Sequence, residues 1–370
     1  MKEDIMDSLE LKEIAVKGYE KVVVVSDERV NLKGIICIHS LALGPALGGT
    51  RIYPYPNFDA ALTDATRLAK GMTYKAALAE LGLGGGKSVI ICNPKQKTPE
   101  MLISFAQAVH RLEGLYTGAE DSGCFLSDVT LMAQHTPYFV GLSHDKSSGD
   151  PATFTAWGTY RGIQAALQVT EKNSSVKGKT IAIQGLGSVG SLLAEILFWS
   201  GAKLIVSDID WEKTQRIAKK FGATACPADD ILSSECDVLS PCAMGGILNA
   251  QTILQLRCKA IAGCANNQLL QDSDADLIRQ RGILYTPDFV INAGGLINVS
   301  FELEHEGYDP IKARTKVHGL FDQLMQLFAI ADQNQCSTHQ AALALGDYRL
   351  KYGIGRRVLA PRYHHFSTYS

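Results

Sequence analysis

The sequence lacks a strong excess of charge of either sign, a long apolar run and any pair of cysteines in CxxC spacing. Its 370 residues carry a formal net charge of −2, with both signs mixed along the chain. No basic stripe for binding nucleic acid is therefore predicted. No apolar run approaches the roughly 18 residues that a membrane-spanning helix needs, and residues 1–20 lack the apolar core of a signal peptide. We expect a cytoplasmic protein without nucleic-acid or membrane partners.

The cysteines do not form a recognisable framework. There are nine of them, an odd number, and they are scattered along the chain. This usage is typical of reduced thiols in a cytosolic protein and not of disulfides or a zinc site. His364 and His365 are adjacent but have no apparent third ligand, so no metal is expected. A chain of this length, with 46% hydrophobic residues, usually divides into two domains.

The first part of the chain mixes helical and strand patterns. Residues 2–15 have the pattern of an amphipathic helix, and the β-branched residues 21–27 and 34–39 predict strands. The Gly- and Pro-rich residues 41–56 are expected to form a loop without a regular element along its length. Apolar spacing predicts a helix over 59–80, which residues 83–86 would end, followed by a buried strand at 88–92. A helix is expected over 99–112.

The second part alternates regularly between helix and strand. The patterns predict a helix over 155–170, a strand over 180–184, a helix over 191–200 and a strand ending at 208. Further strands are predicted at 238–240, 260–262 and 284–285, and long helical patterns return over 310–352. This alternation predicts a doubly wound parallel sheet, and thus an α/β fold.

Gly185, Gly187 and Gly190 form a GxGxxG sequence between a predicted strand and a predicted helix. In that context the glycines allow a tight turn, close approach of a pyrophosphate, and close packing of helix on strand. Asp208 follows at the end of the next strand, where a carboxylate accepts from a ribose 2′-hydroxyl. Asp208 and Asp210 would repel a 2′-phosphate, so NAD is favoured over NADP. The alternative is an ordinary Gly-rich turn with Asp210 capping a helix.

Two lysines, Lys75 and Lys87, flank a glycine run in the stretch KGMTYKAALAELGLGGGKSVII. The run is not a phosphate-binding P-loop, because Leu81 occupies the place of its first glycine and because a helix precedes it while a strand follows. The glycines would let a ligand or the cofactor domain come close. A poorly hydrated Lys87 with Lys75 as a neighbouring cation could serve as a base near neutral pH. The alternative for each lysine is a solvated surface charge.

Asp121, in TGAEDSG, is the candidate acidic partner of Lys87. Oxidation of an amine requires protons to be moved to and from nitrogen, and a carboxylate near Lys87 can do this. The other interpretation, an aspartate in an Asx-turn or helix cap before Ser-Gly, is equally compatible with the residues alone.

Seven segments together resemble the glutamate/leucine/phenylalanine/valine dehydrogenase family, and most closely its leucine dehydrogenases. They are GPALGGTR (44–51), RLAKGMTYKAALAELGLGGGK (67–87), TGAEDSG (117–123), GLGSVG (185–190), PCAMGG (241–246), IAGCANNQL (261–269) and PDFVINAGGLINV (287–299). The resemblance implies a substrate and oligomerisation domain over 1–144, a Rossmann NAD-binding domain over 145–330, and a helical segment over 331–370 that returns to the first domain. Chemistry would take place in the cleft between the domains.

The resemblance also implies roles for individual residues. Lys75 would bind the substrate α-carboxylate, Lys87 would activate the water that attacks an imine, and Asp121 would transfer protons. Together, the motifs and the resemblance assign the substrate to Lys75, Leu47, Gly48, Gly49, Met72, Ala119, Asn267, Leu296 and Val299. They assign the cofactor, NAD, to Gly185, Gly187, Ser188, Val189, Gly190, Asp208, Ile209, Thr155, Cys242, Ala243 and Asn267.

The side-chain pocket is expected to be apolar. Glutamate-specific members of the family carry lysine and serine at the positions of Leu47 and Val299, and burying a carboxylate beside two aliphatic residues would cost several kcal/mol. Leu296 is bulkier than the valine usual in leucine dehydrogenases, which could narrow the pocket. Gly190 is often alanine in those enzymes, and either residue is expected to fit.

The expected activity is NAD-dependent oxidative deamination of a branched-chain L-amino acid, by a homo-oligomer. The alternatives are a phenylalanine- or valine-preferring dehydrogenase of the same family and a catalytically silent NAD-binding regulator.

Overall fold

The computed structural model describes residues 8–143 and 147–364 and divides the chain into two compact units. The first comprises Met1–Asp150, Val299–Pro310 and Gly346–Ser370, and the second comprises Pro151–Asn298 and Ile311–Leu345. Both are α/β units, as predicted. In the described part of the chain, no helix is long and apolar enough to span a membrane.

The first unit is built on a mixed six-stranded sheet. Its strands are β1 (Glu10–Ile14), β2 (Lys21–Asp27), β3 (Leu32–Ser40), β4 (Ala46–Tyr53), β5 (Gly84–Ile91) and β6 (Tyr116–Ala119). Their order is β1-β2-β3-β5-β4-β6. The pairs β1–β2, β2–β3 and β3–β5 are antiparallel, and β5–β4 and β4–β6 are parallel. The carboxyl ends of β4, β5 and β6 therefore lie at one edge of the sheet.

Helices cover both faces of this sheet. They are α1 (Phe58–Leu78), α2 (Pro99–His110) and α3 (Leu126–Ala133). Asn57 caps α1 by accepting from the Ala60 amide. The alanine stripe of α1 packs against Val22, Ile35 and Val89 of the sheet. A larger apolar core, which includes Phe105 of α2 and Met132 of α3, covers the other face. The α1 face carries the side chains of interest below.

The second unit contains the predicted doubly wound sheet. Its strands are β7 (Thr180–Gln184), β8 (Lys203–Ser207), β9 (Thr224–Ala225), β10 (Glu235–Pro241), β11 (Arg257–Ile261) and β12 (Leu284–Tyr285). All pairs are parallel, in the order β12-β11-β10-β7-β8-β9. The chain thus builds outward from β7 in one direction and from β10 in the other. Such a switch point is where open parallel sheets bind ligands.

Further helices follow α3 along the chain. They are α4 (Ala152–Glu171), α5 (Ser188–Trp199), α6 (Trp211–Phe221), α7 (Asp274–Gln280), α8 (Asp288–Ile291), α9 (Gly294–Ser300), α10 (Pro310–His318), α11 (Leu320–Gln333) and α12 (Thr338–Tyr352). Along β7, Ile181 and Ile183 face the core shared with α4 and α5, whereas Ala182 faces the core on the other side.

Three local predictions for the first unit were wrong. The part of 2–15 described by the structure contains the strand β1, paired with β2, instead of a helix; residues 1–7 lie outside the described residues. Residues 46–53, predicted as loop, form the internal strand β4, because β5 and β6 supply ladder partners on both sides. The strand after the glycine run begins at Gly84, within the glycines. Tertiary pairing overrode the weak strand propensity of glycine.

The domain boundaries also differ from those predicted. Residues 299–310 belong to the first unit, where the Glu302 carboxylate accepts hydrogen bonds from Gly141 and Ser148. Residues 331–345 belong to the second unit, where the Thr338 hydroxyl donates to the Tyr285 carbonyl at 2.6 Å. Only residues 346–370 of the predicted C-terminal segment are part of the first unit. The division near residue 144 falls at Asp150.

Candidate active site

Lys87 and Asp121 form a hydrogen-bonded ion pair in the first unit. The Lys87 ammonium, on β5, donates to Asp121 Oδ2, and the residue is 4% exposed. Asp121 follows β6, and its Oδ1 accepts from the Ser122 amide at 2.7 Å. This bond reaches only the next residue and is therefore not the bond of the Asx-turn named as the alternative, which reaches two residues on. The structure thus joins two residues 34 positions apart.

Arg51 is a second cation on Asp121. Its Nε donates to Asp121 Oδ1 at 2.9 Å and its Nη1 to Asp64 Oδ2 at 2.9 Å. The Tyr55 hydroxyl donates to the same Asp64 oxygen at 2.5 Å. Burial by itself raises the pKa of the Asp121 carboxyl, but the charges and hydrogen bonds of Lys87 and Arg51 outweigh burial and hold that pKa well below its usual range. Asp121 is therefore an ionised carboxylate at neutral pH.

The glycines of β4 and β5 make room for the protein itself. A Cβ on Gly49 would lie 2.8 Å from Asp121 Cβ, and one on Gly85 would lie 2.1 Å from the Thr73 amide nitrogen of α1. A Cβ on Gly48 would lie 1.8 Å from the Gly86 carbonyl oxygen. Gly85 of the run thus gives room to α1, and Gly49 of β4 gives room to Asp121. The approach of a ligand or a domain to the glycine run stays a prediction.

Lys75 and Met72 lie on α1 and are half-buried. Thr73, between them in sequence, is the α1 residue that packs on Gly85 of β5. The half of α1 that carries Lys75 therefore crosses the strand that carries Lys87.

The predicted pocket residues of the first unit share one sheet face. Leu47 pairs with Gly85 on β5 and with Thr117 on β6, and Gly49 pairs with Ala119. Because laterally paired residues in parallel strands point to the same face, Leu47 and Ala119 lie on the face of Lys87. Leu47 is 2% exposed and Ala119 is half-buried. Val299 is buried in the first unit, and Leu296 is buried in α9 within the second unit.

The Gly-rich turn of the second unit has the form that a pyrophosphate requires. Gly185 adopts φ +93°, and a Cβ there would lie 2.6 Å from Ala243 Cβ. A Cβ on Gly187 would meet no atom within 4 Å, and Ser188 begins α5 with its side chain exposed. The amides at the start of α5 thus face open space, while Val189 is half-buried. These residues fit a dinucleotide.

Gly190 differs from what the sequence suggested. Its Cβ would lie 2.0 Å from the Gly185 carbonyl oxygen, which is backbone and cannot swing aside. Alanine therefore does not fit here without movement of the turn, and the expectation that either residue would fit is wrong for this structure.

Asp208 lies just after β8. Its carboxylate accepts from the Leu186 amide at 2.7 Å and from the Asp210 amide at 3.0 Å. Burial by itself raises the pKa of Asp208, but the two hydrogen bonds and the nearby Lys213 outweigh burial. The pKa is therefore lower than the ordinary value of an aspartate, and the carboxylate is ionised at neutral pH. Asp210 caps α6 by accepting from the Lys213 amide. Ile209 is 95% exposed, an apolar side chain next to the carboxylate.

Four other predicted cofactor residues lie in the second unit. Thr155 is half-buried in the first turn of α4, and a Cβ on Gly295 would lie 2.8 Å from its hydroxyl. Cys242 follows β10; the thiol of Cys264 lowers the pKa of Cys242 by hydrogen bonding, against the effect of burial. Ala243 is exposed beside Gly185. Asn267 is held at φ +52° by its amide, which donates to Asp288 at 2.7 Å.

Comparisons with known proteins agree with this arrangement. A family model described as "Glu/Leu/Phe/Val dehydrogenase, dimerisation domain" matches residues 18–140, and one described as "Glutamate/Leucine/Phenylalanine/Valine dehydrogenase" matches 209–352. A leucine dehydrogenase of Geobacillus stearothermophilus is 46% identical over 335 residues, 90% of this chain and 91% of that protein. The chain belongs to the Glu/Leu/Phe/Val dehydrogenase family. It is an amino-acid dehydrogenase that uses NAD.

Other relatives act on larger amino acids. A phenylalanine dehydrogenase of Caldalkalibacillus thermarum is 41% identical and covers 91% of this chain and 92% of its own. The crystal structure of L-tryptophan dehydrogenase from Nostoc punctiforme superimposes with a TM-score of 0.79 at 42% identity, covering 91% of this chain and 96% of that one. This amino-acid dehydrogenase therefore has relatives with three different named substrates.

Sequence reasoning gave no role to Arg51 or Asp64, although Arg51 ends the quoted segment GPALGGTR. The alternation of Leu47, Gly49 and Arg51 is the signal that could have found it, because the three share a face once residues 46–53 form a strand. No local signal points to Tyr363, whose hydroxyl lies 2.8 Å from that of Thr117.

Proposed function

We propose that this dehydrogenase oxidatively deaminates a branched-chain L-amino acid, preferably leucine and also valine and isoleucine, in a reversible reaction with NAD⁺. The supporting observation is the ion pair of the buried Lys87 with the half-buried Asp121, on the same sheet face as the buried aliphatic Leu47. The pair supplies the proton transfers that amine oxidation needs, and Leu47 supplies an apolar surface beside it. The products are the 2-oxo acid, ammonium and NADH.

Lys75 binds the α-carboxylate of the substrate in this proposal. It lies on the part of α1 that packs on β5, the strand of Lys87, and a flexible ammonium suits a single carboxylate. Gly48, Gly49 and Met72 would bind the substrate in the first unit, and Asn267 and Leu296 are proposed substrate residues of the second unit. Binding of the carboxylate by Lys75 would fix the orientation of the substrate Cα. The amino group would then lie near Lys87 and Asp121, and the side chain near the apolar surface.

Lys87 and Asp121 then move the protons. The ionised Asp121 accepts a proton from the substrate ammonium, which leaves a neutral amine from which the Cα hydride can depart. NAD⁺, when bound, accepts that hydride. Lys87, an ammonium in the resting enzyme, first releases a proton to solvent, and as the neutral amine it takes a proton from the water that adds to the resulting imine. Asp121 returns its proton to nitrogen, and the hydroxyl proton of the carbinolamine goes to solvent as ammonia leaves. The hydrogen bond between Lys87 Nζ and Asp121 Oδ2 lets one proton pass between them.

NAD would be held by the residues around the switch point. The turn Gly185–Gly190 and the start of α5 would face the pyrophosphate, and Asp208 would accept from the ribose. Ile209 offers an exposed apolar side chain beside the ribose site, and Thr155, Cys242, Ala243 and Asn267 would lie toward the nicotinamide. A 2′-phosphate would face the ionised Asp208, which favours NAD over NADP.

The apolar surface argues against glutamate. A substrate carboxylate beside the buried Leu47 would lose its hydration and would cost several kcal/mol without a cationic partner. Phenylalanine is the second candidate, because relatives at comparable identity bear the names phenylalanine and tryptophan dehydrogenase. One methylene in an apolar pocket changes discrimination by only about 1–3 kcal/mol, so closely related amino acids should be used together.

We also propose that the enzyme is a cytoplasmic homo-oligomer. The family model that matches residues 18–140 is described as a dimerisation domain, which supports self-association of the first unit. All nine cysteines are free thiols, which is typical of a reducing compartment.

The test is a substrate panel read by NADH absorbance at alkaline pH. Leucine, isoleucine or valine should give the highest kcat/KM with NAD⁺, with little activity for glutamate or with NADP⁺. Lys87→Ala should lower kcat by about 10²–10⁴-fold or more while NADH binding, measured by fluorescence, survives. Lys95→Ala, which removes an exposed lysine of the same unit, is the matched control. Robust glutamate turnover, or a Lys87→Ala variant with normal activity, would overturn the proposal.

A further inference from the structure

The chain beyond α12 is anchored on the first unit by Arg357. Its amide donates to the Leu43 carbonyl at 2.8 Å, its Nε to the Gly82 carbonyl at 3.2 Å, and its Nη2 to Glu304 Oε1 at 2.8 Å. A Cβ on Gly82 would lie 2.9 Å from Arg357 Cβ, so this glycine provides the space that the arginine occupies. The Arg362 amide adds a bond to the Leu303 carbonyl at 3.1 Å. The segment 353–364 is thus held in place by charge and backbone contacts.

This anchoring delivers Tyr363 to the sheet. Its hydroxyl is 2.8 Å from the hydroxyl of Thr117 on β6, and its ring meets Tyr138 edge-on with centroids 5.2 Å apart. Burial raises the pKa of Tyr363 to about 12, although the hydrogen bond with Thr117 opposes the change, so the phenol is neutral. Thr117 is only 1% exposed. Tyr363 therefore contacts Thr117 and contributes to its burial.

Thr117 stands beside the proposed substrate pocket. It pairs with Leu47 across β6 and β4, and neighbouring strands are about 5 Å apart. Two residues further along β6, Ala119 pairs with Gly49, next to Asp121. The row from Asp121 through Ala119 to Thr117 runs along this sheet face, away from the pair of Lys87 and Asp121. The phenol of Tyr363 lies at the far end of that row.

We propose that Tyr363 forms the end wall of the substrate side-chain pocket and limits the size of the amino acid that the enzyme accepts. The inference rests on the proposed function, because it takes the α1 face beside Leu47 as the place of the substrate side chain. Tyr363 acts by volume: its ring occupies space that a longer or aromatic side chain would need. The hydroxyl bond to Thr117 fixes the ring but is not itself required for discrimination.

The experiment measures kcat/KM for valine, leucine and phenylalanine in the wild type and in Tyr363→Ala. Opening the end of the pocket should raise the ratio of phenylalanine to valine by at least about tenfold, the lower end of what one or two carbon atoms decide in an apolar pocket. Tyr363→Phe keeps the ring and should leave the ratio within about threefold of wild type. Tyr348→Ala, which removes a 55% exposed tyrosine of α12, is the matched control and should change nothing.

Two outcomes would overturn the inference. One is an active Tyr363→Ala enzyme with an unchanged substrate ratio, and the other is an equal loss with all three amino acids. If Tyr363→Ala does not fold, as judged by circular dichroism, Tyr363→Leu replaces it and must show a smaller shift in the same direction. A wild type that uses none of these amino acids counts first against the proposed function, and that panel is read before any variant.

Discussion

Asp121 is held by two cations at the same time, and this determines its charge state. Lys87 and Arg51 each bond a different oxygen of Asp121. Arg51 also donates to Asp64, and the Tyr55 hydroxyl donates to the same oxygen of Asp64. The tyrosine and the second carboxylate fix a guanidinium whose planar fork requires partners in defined directions. In the proposed reaction, a substrate ammonium would approach a carboxylate that is already oriented, which would reduce the reorganisation needed for proton transfer.

The low pKa of Asp121 predicts how stability depends on pH. The folded state lowers this pKa below the value of an unfolded chain, about 4, so ionised Asp121 stabilises the fold above that pH. The stabilisation is lost as the pH falls through about 4 toward the folded pKa. The difference in melting temperature between wild type and Asp121→Asn should thus be constant at neutral pH and should shrink below about pH 4.

Thermal melts of both proteins across this pH range check the prediction. Asp229→Asn, at an exposed position in the second unit, is the control and should track the wild type at every pH. A difference between wild type and Asp121→Asn that grows as the pH falls would show that the ion pair does not stabilise the folded state.

At the scale of elements, the cofactor turn depends on how closely β7, α5 and the loop after β10 approach one another. A Cβ on Gly190 would clash with the Gly185 carbonyl oxygen, and a Cβ on Gly185 would clash with Ala243. A Cβ on Gly187 would meet no atom within 4 Å. The three fingerprint glycines therefore have separate functions. Two of them serve packing within the protein, and only Gly187 is available for close approach of a phosphate.

This division predicts different phenotypes for two alanine substitutions. Gly190→Ala should destabilise the protein by about 1–3 kcal/mol, because the turn must move to admit the Cβ, and should raise KM for NAD⁺. Gly187→Ala has φ −68° and free space in the protein, so it should leave the melting temperature unchanged and raise KM for NAD⁺ alone. Denaturant unfolding and initial rates separate the two effects. A Gly190→Ala variant with wild-type stability would contradict the contact distance.

At the scale of the whole molecule, the chain leaves each unit and comes back to it. The second unit is interrupted by residues 299–310, and the first unit is completed by 346–370. The sheet of the first unit ends at β1, whose residues are exposed or half-buried. In the described part of the chain, β1 pairs with another strand, β2, on one side only. Such an edge is a surface through which a second copy can add to the sheet or cover it.

Self-association through the first unit should be visible in solution. Light scattering on the purified full chain is expected to give a mass that is an integer multiple of 40.0 kDa and at least twice it. The mass should not change in the presence of NADH, because the nucleotide site belongs to the second unit. A monomer at micromolar concentration would contradict the proposal of a homo-oligomer.

The sequence alone determined the parallel sheet of the second unit and its NAD turn, because β7, the glycines and α5 are adjacent in the chain and each has a strong local signal. It also determined the family and the pairing of Lys87 with Asp121 as a hypothesis. Local patterns failed where the structure depends on neighbours from elsewhere. The glycine-rich β4 is a strand because β5 and β6 flank it, which no propensity of its own residues indicates.

Only the tertiary structure decided which groups surround the reacting pair. Arg51 reaches Asp121 across 70 positions of sequence, and Tyr363 reaches Thr117 across 246. The alternation of Leu47, Gly49 and Arg51 indicates only that they share a face, and the partner of Arg51 depends on the strand register. The contact of Tyr363 depends on a tail held by Arg357 and has no local signal. Local propensities define the elements, but the charge state of Asp121 and the position of Tyr363 depend on packing between distant segments.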